Sequence, residues 1–256
     1  MDLLLTDKVA FITGASGGIG LSLVESFMAE GARVVGHSRR GIPENERVIS
    51  CLGDVRDAAS VEAAMRRAEE RFGRVDVCVV NAGIWPAADL PLDQLPEARI
   101  REVMEVNLLG AIWTARAFFA SLRRTGPRAD GHGASMVFIG STAGRFGEAG
   151  HAEYAASKGA LRGLTLSLKN EIVSLDPHAR VNLVEPGWTV TPMAAEALAR
   201  NGATERSTRT MPLRRLASPD DVTRAVLYFS SPSMARHVSG ETITVAGGME
   251  GRALWG

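Results

Sequence analysis

Tyr154 and Lys158 stand four residues apart in a stretch of helical apolar spacing. On a helix, side chains at that spacing share a face, with Cβ atoms about 5–6 Å apart. Both residue types are scarce: the chain holds two tyrosines (Tyr154, Tyr228) and three lysines (Lys8, Lys158, Lys169), so the pairing is informative. A free phenol, with a pKa near 10, exchanges protons poorly at neutral pH, and a neighbouring cation favours the phenolate. The pair can therefore act as a tuned acid/base; the plain alternative is an exposed helix pair with no role. Ser141, thirteen residues before Tyr154, follows an apolar run of strand type. Its hydroxyl can hold a substrate oxygen beside the phenol, or simply cap a helix.

A second cluster opens the chain: Thr13-Gly14-Ala15-Ser16-Gly17-Gly18-Ile19-Gly20. Glycines let the backbone turn tightly and approach a pyrophosphate, which the free N–H groups at a helix start attract. Gly14, Ser16, Gly18, Ile19 and Gly20 are the candidate contacts, with an ordinary strand-to-helix turn as the alternative. The spacing is Gly-x-x-x-Gly-x-Gly, not the commoner Gly-x-Gly-x-x-Gly of dinucleotide folds. Ser38 stands eighteen residues past Gly20, followed by Arg39 and Arg40. Dinucleotide folds choose their cofactor at about this point: an acid bonds the 2′-hydroxyl of NAD, and an arginine accommodates the 2′-phosphate of NADP. The segment has no carboxylate, so Ser38 and Arg39 point to NADP(H), with NAD(H) as second choice.

These residues need elements to position them. Short β-branched runs at 9–13, 33–36, 47–52, 76–80, 135–139, 180–184 and 242–245 read as strands. Between them, amphipathic stretches at 19–30, 58–72, 98–124, 152–174 and 219–230 read as helices. Such alternation predicts βαβ units and an α/β, Rossmann-like doubly wound fold, a seven-stranded parallel sheet with helices on both faces. No long linker breaks the pattern, so residues 1–256 are expected to form a single domain. The segment 188–216 resists assignment, and its place after the sixth strand suggests a cover over the site.

Composition narrows the function classes. A formal net charge of +0 gives no reason to expect a nucleic-acid partner. Cys51 and Cys78 sit in apolar runs and read as buried thiols of a reducing compartment, hence a cytoplasmic protein. The first eight residues are too short and wrongly charged for a signal peptide, and no apolar run of membrane-spanning length is evident. The five histidines (His37, His132, His151, His178, His237) are dispersed, so no metal site is expected.

Taken in order, Thr13 to Gly20, Asp54-Val55, Asn81-Ala82-Gly83, Asn107, Ser141, Tyr154-x-x-x-Lys158 and Pro186-Gly187 resemble the short-chain dehydrogenase/reductase family over nearly the whole chain. The resemblance implies hydride transfer between NADP(H) and a small-molecule carbonyl or secondary alcohol substrate. It implies that Tyr154 exchanges the proton and that Ser141 orients the substrate oxygen. Lys158 would bind the nicotinamide ribose and depress the phenol's pKa, and Asn107 would hold a water that continues the relay. Asp54 and Val55 would meet the adenine, while Asn81, Ala82 and Gly83 would line the adenosine side. Pro186, Gly187, Thr189 and Thr191 would pass the carboxamide, although the family usually has Ile or Val where Thr189 stands. Trp85, Phe146, His151, Trp188 and Met193 are the candidate substrate wall, with His151 equally readable as an exposed loop residue. In this family the long helices at 98–124 and 152–174 pair between subunits, which implies a homodimer or homotetramer. A non-catalytic dinucleotide sensor on the same fold is the alternative function.

Overall fold

The computed structural model describes residues 2–249 and 251–252. Among these, seven strands pair into one wholly parallel sheet. They are β1 (Val9–Thr13), β2 (Arg33–Ser38), β3 (Val48–Leu52), β4 (Val77–Val80), β5 (Ser135–Ile139), β6 (Arg180–Pro186) and β7 (Thr242–Val245). Their order is β3-β2-β1-β4-β5-β6-β7, so the winding reverses between β1 and β4. Every residue of β1, β4, β5 and β6 is buried, as expected when helices cover both faces of a parallel sheet.

The helices are α1 (Gly18–Ala29), α2 (Ala58–Phe72), α3 (Glu97–Met104), α4 (Gly110–Thr125), α5 (Thr142–Phe146), α6 (Ala152–Glu171), α7 (Pro192–Leu198), α8 (Ala203–Thr208) and α9 (Pro219–Ser230). Local chemistry sets several of their ends. The Asp57 carboxylate accepts the Ala59 N–H at the start of α2, and Gly73, at φ +85°, ends it in the left-handed region. Ser218 and Asp221 form a capping box at the start of α9, with Pro219 in its first turn. Successive strand residues point to opposite faces. Phe11, Cys78 and Phe138 therefore join Phe118, Leu122 and Leu161 in one core under α2, α4 and α6. Ile12, Val79 and Val137 join Leu23, Phe27, Val226 and Phe229 in the other, under α1 and α9.

The structure corrects several local expectations. The helix expected over 98–124 is α3 and α4 joined by a π-type turn at Glu105–Leu109, a device that apolar spacing does not announce. The continuous helical run Glu97–Thr125 does meet the length and apolarity of a membrane span, contrary to expectation. Its most apolar eighteen-residue stretch is 50% buried inside the protein, as for a core helix. β2 runs on to Ser38, which pairs beside Leu52 and so belongs to the sheet. The segment 188–216 folds into α7 and α8. Its base is closed by Val190 N–H donating to Ala217 O at 2.9 Å and Ala217 N–H donating to Trp188 O at 3.0 Å.

Candidate active site

The strand order puts the site where ligands bind in such sheets, beyond the carboxyl ends of the strands at the reversal point. There the loop after β1 faces the loop after β4. Asn81 holds the glycine loop from beneath, its amide donating to Thr13 O at 2.9 Å and Gly14 O at 3.2 Å. Three glycines of the loop are sterically required, and a Cβ on Gly20 would meet Gly14 O and the Ala15 backbone. Gly14 has φ +66°, and a Cβ there would sit 2.8 Å from Ala82 Cα, while one on Gly18 would sit 2.9 Å from Pro192 Cδ. Gly17 caps α1 with no side-chain bond, so the first N–H groups of this twelve-residue helix face a cradle that any Cβ would narrow. Such a cradle fits a dinucleotide's pyrophosphate.

A cavity of about 900 Å³ runs from this loop across the strand ends. Its wall includes Gly14, Ser16, Gly18, Ile19, Gly20, Ser38, Arg39, Asp54, Val55, Asn81, Ala82, Gly83, Ser141, Tyr154, Lys158, Pro186, Gly187, Thr189 and Thr191. Sequence positions spread over 178 residues, from 14 to 191, thus meet on one surface. At the Arg39 end, Ser38 is buried and donates to Arg40 O at 2.5 Å, holding the turn that leaves both arginines exposed. A carboxylate does reach this end, from β3: Asp54. Arg56 binds it at 2.7 Å, and that hydrogen bond holds it below the usual carboxylate range.

At the other end, Ser141 serves as the helix cap and lies beside the phenol. Its hydroxyl caps α5, accepting Ala143 N–H at 3.1 Å, and also bonds the Tyr154 phenol. Lys158 is buried and donates to Ile139 O at 2.9 Å. The expected depression of the phenol is not what the protein's own groups produce. Burial pushes Tyr154 up to about 12; the Ser141 hydrogen bond opposes this, and the negative charge of Glu148 adds to it. Burial also lowers Lys158 to about 8.

Asn107 is buried in the π-type turn and is not part of the cavity wall. Its amide donates to Ile84 O at 3.0 Å and Ser157 Oγ at 3.1 Å, and its oxygen accepts Ile84 N–H at 2.8 Å. The side chain therefore ties α6 to the loop after β4. Thr189 turns its hydroxyl to Gly187 O (3.0 Å), and Thr191 caps α7.

Trp85, Trp188 and Met193 line the cavity, but Phe146 and His151 do not. His151 is 1% exposed, stacked 4.7 Å from Trp85, with Nε2 donating to Pro86 O at 2.7 Å; it is not a surface histidine, and it lies behind the wall that Trp85 forms. Sequence reasoning missed Arg40, Ile84, Val106, Glu148 and Met249 in the wall. Of these only Arg40, adjacent to Arg39, carried a local signal.

The family model described as short chain dehydrogenase matches residues 8–202, which contain every candidate site residue. This chain belongs to that family. Over 258 aligned positions it is 34% identical to the 3-oxoacyl-[acyl-carrier-protein] reductase of Vibrio cholerae, covering 96% of this chain and 98% of the relative. The ligand-free aldohexose dehydrogenase of Thermoplasma acidophilum superimposes with a TM-score of 0.86 at 27% identity, covering 98% of this chain and 97% of that one. The Brucella melitensis 3-ketoacyl-(acyl-carrier-protein) reductase complexed with NADH gives a TM-score of 0.85 at 27% identity, covering 95% of this chain and 98% of that one. The chain is thus a Rossmann-fold oxidoreductase of the short-chain dehydrogenase family.

Proposed function

We propose that this short-chain dehydrogenase works on a carbonyl or secondary alcohol substrate with NADP(H), using Tyr154 as its acid/base. The observation that carries the reading is the Ser141–Tyr154 pair, which lies with Lys158 in the same cavity as the glycine cradle. The cradle fits the pyrophosphate, and Arg39 and Arg40 offer cationic donors for a 2′-phosphate. Bound NADP(H) supplies or accepts the hydride at the substrate carbon. Ser141 holds the substrate oxygen, and Tyr154 gives it the phenolic proton as the carbonyl becomes an alcohol, or takes that proton in reverse. A phenol pushed up by burial keeps its proton at neutral pH and can yield it to a more basic alkoxide. Lys158, in the same wall, would hold the cofactor ribose, and Asn107 keeps that part of α6 in place.

The whole chain is read as one domain with 188–216 covering its substrate end. The free, buried thiols Cys51 and Cys78 suit a reducing cytoplasm. The sensor alternative is disfavoured because Asn107, Ser141, Tyr154 and Lys158 are all in place.

The test is NADPH absorbance against a panel of ketones and aldehydes. Tyr154→Phe should lower turnover at least ~10²-fold with NADPH affinity nearly unchanged. Wild-type turnover in that variant would remove Tyr154 from the chemistry, and no oxidation of NADPH by any carbonyl would favour the sensor.

A further inference from the structure

The substrate end of the cavity carries a carboxylate that the reaction does not need. Glu148 lies in the loop between α5 and α6, half-buried, and lines the cavity with Ser141 and Tyr154. Ionisable side chains in the cavity wall divide into two groups. His37, Arg39, Arg40 and Asp54 come from the ends of β2 and β3, whereas Glu148, Tyr154 and Lys158 stand at the substrate end. Glu148 is thus the one carboxylate of the described wall at that end.

Its placement is built. Trp85 Nε1 donates to Glu148 Oε2 at 3.3 Å, and Trp85 is itself stacked on His151 and packed edge-on to Trp188 at 5.7 Å. The second oxygen, Oε1, has His151 Nδ1 only at 3.8 Å, beyond hydrogen-bond reach, and that nitrogen has no hydrogen-bond partner. Asp89, 3.5 Å from His151, and Glu153, paired with Arg99 at 2.7 Å, are the other charges acting on Glu148. One carboxylate oxygen is therefore oriented by an indole, and the other keeps its accepting capacity. The surrounding wall is apolar and aromatic, with Trp85, Trp188, Met193 and Met249. A desolvated carboxylate discriminates strongly, because an unpaired partner leaves it without compensation.

We infer that Glu148 selects substrates, accepting a hydrogen bond from a donor group (a hydroxyl or an ammonium) carried near the reacting carbonyl and rejecting substrates with an anionic group there. This rests on the proposed carbonyl chemistry at Tyr154.

The test uses four ketones on one ring with saturating NADPH: cyclohexanone, 4-hydroxycyclohexanone, 4-aminocyclohexanone and 4-oxocyclohexanecarboxylate. Glu148 also acts on Tyr154, so each protein is judged by the ratio of kcat/KM to its own value for cyclohexanone, in which a change in proton transfer cancels. In the wild type, the hydroxy or amino ketone should exceed cyclohexanone by at least ~10-fold, and the carboxylate should fall below it. A gain for the amine alone would identify the donor as a cation; a gain for both would identify any donor. Glu148→Gln should shrink the donor preference and raise the relative rate of the carboxylate, opposite movements that a misfolded variant does not produce. Equal ratios across the series in both proteins would overturn the inference and leave the reductase reading standing. No NADPH oxidation with any of the four, in wild type and in Glu148→Gln alike, would count against the reductase reading and take this inference with it.

Discussion

Arg39 and Lys158 show how far single side chains can be read. Arg39 is exposed on the cavity wall, beside a Ser38 whose hydroxyl is already turned to Arg40 O. The 2′-phosphate preference therefore falls on the guanidinium, and a charge-assisted hydrogen bond of about 1.5–3 kcal/mol corresponds to about 10- to 150-fold in affinity. NADPH should exceed NADH by at least ~10-fold in kcat/KM. Arg39→Ala should erase most of that margin, and Ser38→Asp should reverse it by setting a carboxylate against the phosphate. Steady-state kinetics with both cofactors check this, and equal use by the wild type would defeat it. Lys158 yields a prediction about stability. Burial takes its ammonium from the ordinary 10.5 to about 8. Between those values the unfolded chain holds a proton that the folded chain has shed, so unfolding free energy rises with pH, by about 1.4 kcal/mol per pH unit at most. Below about pH 8 both states hold the proton and the slope vanishes. Cys78 and Tyr154, both pushed upward, slope the other way at high pH, but equally in a Lys158→Met variant. Urea unfolding from about pH 7 to about pH 10 should show the wild type gaining on Lys158→Met only above about pH 8.

At the scale of elements, the site depends on how closely α5 approaches α6. Gly144 and Gly159 face each other there, and a Cβ on Gly144 would lie 2.6 Å from Gly159 N. That contact brings the start of α5, where Ser141 is the cap, against the first turn of α6, where Tyr154 sits. Gly144→Ala should push the helices apart at a cost of about 1–3 kcal/mol. Because a misplacement of about 1 Å can cost ~10²-fold in rate, kcat should fall by up to that factor while NADPH binding is nearly unchanged. Thermal melting and single-turnover kinetics on one preparation separate the two effects; unchanged kcat in a destabilised variant would count against this coupling. The cover segment is tied down similarly. Arg200, just past α7, donates to Ala87 O at 2.6 Å and faces Asp89 at 3.5 Å, so the excursion is fastened to the loop that carries Trp85.

At the scale of the molecule, apolar surface is left over. Leu109, Leu166 and Val173 are 39%, 45% and 44% exposed, and Trp113 on α4 is half-buried under Arg116. Phe118, on the same helix, is fully buried in the core. The remaining residues lie on α4, α6 and their flanks, and covering them between subunits stabilises an assembly by removing apolar area from water. Light scattering at micromolar concentration should return two or four times 27.3 kDa. A monomer mass would reject the assembly.

What the sequence determined by itself was whatever short-range geometry encodes. The Tyr154–Lys158 face follows from helical pitch, the glycine cradle from backbone freedom at Gly14, and the sheet from alternating apolar runs. All seven strands fell where those runs lie, with ends shifted at β2 and β6 because neighbouring strands extend the hydrogen-bond ladder. The tertiary structure alone decided the rest, because the rest depends on groups distant along the chain. It placed Glu148 in the wall, turned His151 inward against Trp85 and Pro86, and inserted the π-type turn that buries Asn107. It also decided the direction of the Tyr154 shift. A pKa answers to burial and to every charge within reach, and neither can be read from two residues four apart.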